Sequence, residues 1–116
     1  MRPRDTNPIL RVIPHDLETD VPRDASILVS APRPMDQSSA GGLRVTAEGQ
    51  DVDGVLDISS DGRILMWRPA RELEARARHL VTINGVRDEK GAPFAPHASS
   101  FVTGVFTYDD LLLGLE

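Results

Sequence analysis

The sequence ILVSAPRPMD, residues 27–36, begins with strand-forming residues that are followed closely by two prolines. Proline lacks the N–H group that a strand ladder needs and pushes the preceding residue into extended backbone, so Pro32 and Pro34 end the pairing and turn the chain off its sheet. Such a bend lets a strand leave one sheet and cross to another. The stretch therefore predicts a corner between two packed sheets, with Met35 filling the irregular gap and Asp36 capping the bend.

Short apolar runs of period two recur along the rest of the chain, separated by clusters of Gly, Pro, Asp and Ser. Residues 43–48 alternate apolar and polar side chains, and Asp61-Gly62 is a tight-turn signal between two such runs. This pattern predicts an all-β protein, a two-sheet antiparallel β-sandwich of about seven strands. The predicted strands are residues 9–13, 26–30, 43–48, 52–59, 63–68, 79–84 and 99–103.

The predicted sandwich covers residues 8–104, with a tail at 1–7 and an extension or the start of a further segment at 105–116. One continuous apolar layer between the sheets requires seven side chains to face inward. They are Leu43, Val45, Leu65, Trp67, Val81, Ile83 and Phe101. The segment 69–78 is compatible with one or two helical turns, because Leu73, Ala77 and Leu80 lie at helical spacing.

Composition excludes several classes of protein. A chain of 116 residues with 40% apolar and 27% charged residues fits one globular domain. Its net charge of −5 argues against a nucleic-acid partner or an anionic membrane surface. The absence of cysteine rules out disulfides and thiolate metal sites. No apolar run is long enough for membrane insertion, and the N-terminus has no secretion signal.

Two features at the ends favour a segment cut from a longer polypeptide. The first predicted strand starts almost at the N-terminus, and the chain closes on Leu115-Glu116, a pair commonly left by a cloning site.

Seven short segments follow one another along the chain in a characteristic order. They are Pro14 with Asp16, Ile27 and Val29 with Pro34-Met35-Asp36, Asp61-Gly62, Trp67-Arg68-Pro69 with Leu73, Val81 and Ile83, Asp88 with Gly91, and Phe101-Val102-Thr103-Gly104. This order resembles the bacterial Ig-like domain of the surface-layer-protein type. His79 stands where that family has a strand-leading Tyr, and Arg33 stands where it has an acidic residue.

The resemblance implies a non-catalytic structural or interaction module of a larger bacterial envelope or extracellular protein. Such a module would space or orient its neighbours or adhere to a partner. Its partners would be neighbouring domains of the parent chain or another protein, and it would need no cofactor. Trp67, Pro69 and Phe101, with Met35 and Asp36, would be structural residues. No catalytic motif appears in the sequence.

Two alternatives remain open. One is a Ca²⁺- or carbohydrate-binding module that uses the inter-strand loops, and the other is an accessory domain of an enzyme in the same polypeptide. Asp51, Asp53 and Asp57 are weak metal candidates, since Ca²⁺ prefers carboxylate oxygens. They lack the EF-hand pattern with its closing Glu, and strand alternation would scatter them, so turn and edge roles are preferred.

The C-terminal Leu111-Leu112-Leu113 is an apolar run that would form an exposed patch on an isolated domain. It is interpreted as the start of a further segment, a last element folded onto this domain, or a dimer contact.

Overall fold

The computed structural model describes residues 10–113, and their side chains as far as Asp110. Two β-sheets pack face to face around an apolar layer. A 3₁₀ helix at Gln37–Gly42 precedes the fourth strand, and a short helix α1 at Tyr108–Leu113 follows the last. The strands are β1 (Arg11–Ile13), β2 (Glu18–Val21), β3 (Ile27–Ser30), β4 (Leu43–Ala47), β5 (Gln50–Asp51), β6 (Gly54–Ile58), β7 (Ile64–Pro69), β8 (Arg78–Ile83) and β9 (His97–Thr103).

Sheet A has the strand order β1-β3-β7-β6, and sheet B has the order β2-β9-β8-β4-β5. The structure confirms the all-β sandwich, with nine strands in place of about seven. The additional strands are β2 and β5. The sandwich is also not wholly antiparallel, because β2 runs parallel to β9. β2 buries only Val21, so its sequence lacks the alternation that reveals a half-buried strand.

The core lies between the inward faces of the two sheets. The seven side chains predicted to face inward are each 4% exposed or less. Each large apolar side chain buried in this way stabilises the fold by about 1.5–3 kcal/mol relative to an exposed position. The predicted hairpin is also present: β6 and β7 pair antiparallel, and Gly62 takes φ +75° in the turn between them.

The helical turns with which the spacing in 69–78 is compatible are not formed. The segment between β7 and β8 is irregular, with one turn at residues 75–76. Its backbone donors are used by distant parts of the chain: the Leu73 N–H donates to the Arg23 carbonyl at 2.8 Å, and the Arg76 N–H donates to the Gly104 carbonyl at 3.3 Å. Leu73 is buried, whereas Leu80 is 44% exposed, so the two do not share a face.

The edges of both sheets are short. The edge strands β1, β2 and β5 have three, four and two residues. β6, the other edge of sheet A, has five residues. Within the described residues, neither helix has the length and apolar character needed to cross a membrane.

His79 places a buried ring in β8. It is 1% exposed, and its ring stacks on that of Phe101 with centroids 5.1 Å apart and planes 6° apart. Its Nδ1 lies 3.0 Å from the Ala77 carbonyl oxygen. Burial lowers the pKa of His79 below its ordinary 6.5, and burial lowers the pKa of His97 in the same direction.

We expect the free energy of unfolding to fall as the pH is lowered through about 6.5. The unfolded chain takes up protons on its histidines there, while the folded chain resists protonation of His79, so stability is complete above this pH and declines below it. Urea unfolding between about pH 7.5 and about pH 5 measures the slope. His79→Phe should reduce it, leaving the contribution of His97. Equal stabilities across this range would contradict the expectation.

Candidate interaction surface

The outward face of sheet A carries a row of apolar side chains. In the strand register, Ile13 of β1 lies opposite Leu28 of β3, and Leu28 lies opposite Met66 of β7. Directly paired residues point to the same side of a sheet, and their sequence neighbours point to the other. Because Val12, Val29 and Leu65, which pair with one another in register, are buried in the core, this row points away from it.

Two more apolar side chains extend the row. Ile64 lies two residues before Met66 on the same face, and Val55 of β6 lies opposite Arg68 on the same face. Ile13 is 50% exposed, Val55 52% and Ile64 37%. The sheet A patch is therefore defined as Ile13, Leu28, Val55, Ile64 and Met66.

The outward face of sheet B does not form a comparable patch. Leu80 is 44% exposed, but it lies between Thr46 on one neighbouring strand and Ser100 on the other. Thr82 is likewise paired with Arg44. Apolar residues on this face are thus separated by polar ones, and sheet A alone presents a contiguous apolar row among the described strands.

Basic side chains flank the sheet A patch. Arg11 lies in line with Ile64 across β3, and Arg68 lies beside Val55. Arg11 forms no ion pair with any residue that the structure describes. Arg68 reaches Asp57 only at 3.9 Å, and both side chains are more than half exposed. An exposed pair of this kind contributes little energy and leaves the guanidinium free to meet another carboxylate.

The sequence carries a signal for this surface that the period-two pattern does not include. Residues 27–29 and 64–67 are unbroken apolar runs rather than alternating ones. Such runs are typical of strands covered on both faces. Placing these runs only in the core leaves out the outward members of the patch, Leu28, Ile64 and Met66.

The predicted corner residues lie at one end of the sandwich. Met35 is 2% exposed, and its N–H donates to the Gly62 carbonyl at 2.8 Å. Asp36 begins the 3₁₀ helix: one carboxylate oxygen accepts hydrogen bonds from the Ser38 hydroxyl at 2.8 Å and the Ser38 N–H at 3.0 Å. These bonds, with that from Arg87, lower the pKa of Asp36 below 3.8.

Two ion pairs connect the corner at residues 32–36 to the turn after β8, and each segment supplies one basic and one acidic residue. Arg87 lies 3.0 Å from Asp36, and Arg33 lies 2.9 Å from Asp88. Asp88 is 5% exposed and accepts the Lys90 and Ala92 N–H groups at 2.9 Å each. The hydrogen bond from Ala92 is the largest cause of its lowered pKa. The basic residue at 33 is therefore matched by a carboxylate across the corner.

The other structural candidates lie in or beside the core. Trp67 and Phe101 are 4% and 2% exposed, on opposite sheets. Pro69 ends β7 opposite Gly54 of β6. A methyl group at Gly54 would come within 2.2 Å of the Trp67 indole, so the ring lies directly against the β6 backbone.

The acidic candidates are not brought together. Asp51 pairs with Arg44 at 2.6 Å, Asp57 faces Arg68, and Asp53 is exposed in the loop before β6. Among residues 10–113, no three His, Cys, Asp or Glu side chains are placed to hold a metal ion. The side chains of Leu111, Leu112 and Leu113 lie outside the described residues, as do residues 1–7.

Comparison with known proteins gives a family and several similar folds. The family model described as a bacterial Ig-like domain matches residues 5–103. No curated protein matches the chain. Among solved structures, the N-terminal part of the bacterial S-layer protein SbsC is 17% identical with a TM-score of 0.62, covering 84% of this chain and 24% of that chain.

In two further structures, the share of the matched chain that this fold occupies is different. An L,D-transpeptidase from Mycobacterium smegmatis is 18% identical with a TM-score of 0.62, covering 85% of this chain and 41% of that chain. CopC from Methylosinus trichosporium OB3b is 12% identical with a TM-score of 0.68, covering 84% of this chain and 94% of that chain. This chain spans only 14% of a longer SbsC chain. At such identities the likeness shows the fold alone.

Proposed function

This chain belongs to the bacterial Ig-like domain family, and on that basis we propose that it is a non-catalytic module of a larger bacterial envelope or extracellular protein. Its work is to space and orient neighbouring domains or to adhere to another protein. The observation that carries the proposal is the sheet A patch. A contiguous apolar row exposed on one sheet marks a contact surface rather than a site for chemistry.

The comparisons support the same role at the level of architecture. The fold forms a minor part of the S-layer chain and less than half of the transpeptidase chain. A sandwich that joins others end to end or side by side keeps its neighbours at fixed separations, because its two packed sheets form a rigid unit. We propose that this chain acts in this way.

A second candidate is an accessory domain beside an enzyme domain of the same polypeptide. The likeness to the L,D-transpeptidase favours it, since the fold there occupies 41% of a chain named for an enzyme. In this role the sandwich would contribute binding or positioning, and the reacting groups would come from elsewhere in the polypeptide.

An antibody raised against the purified 116-residue chain tests the proposed function in the source bacterium. The expected result is a band well above 12.7 kDa in the envelope fraction or the culture medium. A 12.7 kDa band confined to the cytosol would overturn the proposal. Replacing this module in the parent by an unrelated Ig-like module separates the candidates: a spacer would keep the parent's function, and an accessory domain would lose it.

A further inference from the structure

We infer that the sheet A patch docks against a neighbouring domain of the same polypeptide, on an apolar surface flanked by carboxylates. This inference rests on the proposed function and names the partner of the module. It follows from the size of the patch and from the charges around it.

The size of the patch favours a tethered partner over a free one. The patch spans four strands and about three outward positions along them, which is roughly 14 by 13 Å, or on the order of 200–300 Å². A stable complex between separate proteins buries about 800 Å² on each partner. A surface this small holds a partner only when a linker supplies a high effective concentration. Interfaces between domains of one chain are also smaller and more polar than those of obligate complexes.

The charges favour an acidic partner over a second copy of this chain. Arg11 and Arg68 lie at opposite ends of the patch. Two copies packed face to face through sheet A would bring these guanidinium groups together, with Asp57 as the one acidic side chain among the paired residues of that face. Like charges across an interface cost energy, whereas carboxylates on the partner would complement them.

Thiol labelling measures the docking directly, because the chain has no cysteine of its own. Val55→Cys places one thiol in the sheet A patch, and Leu80→Cys places a matched thiol on sheet B, at positions 52% and 44% exposed. Both variants should react with a maleimide at similar rates in the isolated chain. In the parent polypeptide, Val55→Cys should react at least about tenfold more slowly, as for a state docked about 90% of the time, and Leu80→Cys should be unchanged.

A charge reversal tests the chemistry of the partner. Arg68→Glu, made together with Val55→Cys, should raise the labelling rate in the parent by about threefold or more. The new carboxylate would repel the partner's carboxylates, so the patch would be undocked more often. Arg78→Glu on sheet B is the control and should leave the rate unchanged. Melting curves of the isolated variants verify that each is folded before its labelling is compared.

Three outcomes would overturn the inference. Equal labelling of both thiols in a parent larger than 12.7 kDa would show that sheet A stays open, while the proposed function survives. Slower labelling of Val55→Cys as the isolated chain is concentrated would identify a second copy as the occupant. Protection that Arg68→Glu strengthens would mean that the partner is not acidic.

Discussion

Replacing Trp67 with alanine is expected to lower the free energy of unfolding by about 3–5 kcal/mol. The indole is 4% exposed and lies in β7 opposite Ile27 on one side and Leu56 on the other. It also covers the backbone at Gly54, where even a methyl group would approach it within 2.2 Å. Removing the ring leaves a cavity that the hydrogen-bonded strands on either side cannot close, so the cost includes both lost burial and the void.

Circular dichroism is the signal for this measurement, because Trp67 is the single tryptophan and its fluorescence disappears with the substitution. Trp67→Phe should cost less, since it keeps an aromatic ring in the site. Ile64→Ala, on the same strand but facing outward at 37% exposure, is the matched control and should change stability by about 1 kcal/mol or less. Equal effects of Trp67→Ala and Ile64→Ala would contradict the placement of the ring.

Replacing Met35 with alanine is expected to cost about 2–4 kcal/mol. Its side chain is 2% exposed at the corner, where the prolines have ended strand pairing. The backbone there is fixed by the Met35 hydrogen bond to Gly62 and by the bridge between Met35 and Asp88. A fixed backbone prevents the corner from collapsing into the space that the thioether leaves.

Met66→Ala supplies the matched control, because it removes the same side chain from the outward face of sheet A. It should cost about 1 kcal/mol or less. Met35→Leu, which nearly conserves volume, should cost less than about 1.5 kcal/mol. Urea unfolding followed by Trp67 fluorescence measures all three. An unchanged midpoint for Met35→Ala would mean that the corner does not depend on this side chain.

Periodicity was sufficient to predict most of the sandwich. Alternation in β4 identified Leu43 and Val45 as inward, and Asp61-Gly62 identified the β6–β7 hairpin. The same method could not find β2, whose four residues include only one buried side chain. It also left residues 69–78 ambiguous, because the spacing of Leu73 and Leu80 does not reveal that distant carbonyls accept from this backbone.

The sheet A patch was harder to predict because it depends on strand order and register. Ile13, Leu28 and Met66 are far apart in sequence and become one row only when β1, β3 and β7 pair as they do. A shift of one residue in either pairing would move every side chain of the shifted strand to the opposite face and break the row. The partner of Arg33 was hidden for the same reason, since Asp88 reaches it only across the corner.

The short edge strands have a consequence for crowding. Unpaired N–H and C=O groups along a sheet edge invite another chain to add a strand, which is how many β proteins aggregate. β1, β2 and β5 offer at most four residues each, and the longer β6 carries Asp57 within its five. Many copies of this chain can therefore stand side by side at high local density with little tendency to fuse into fibrils.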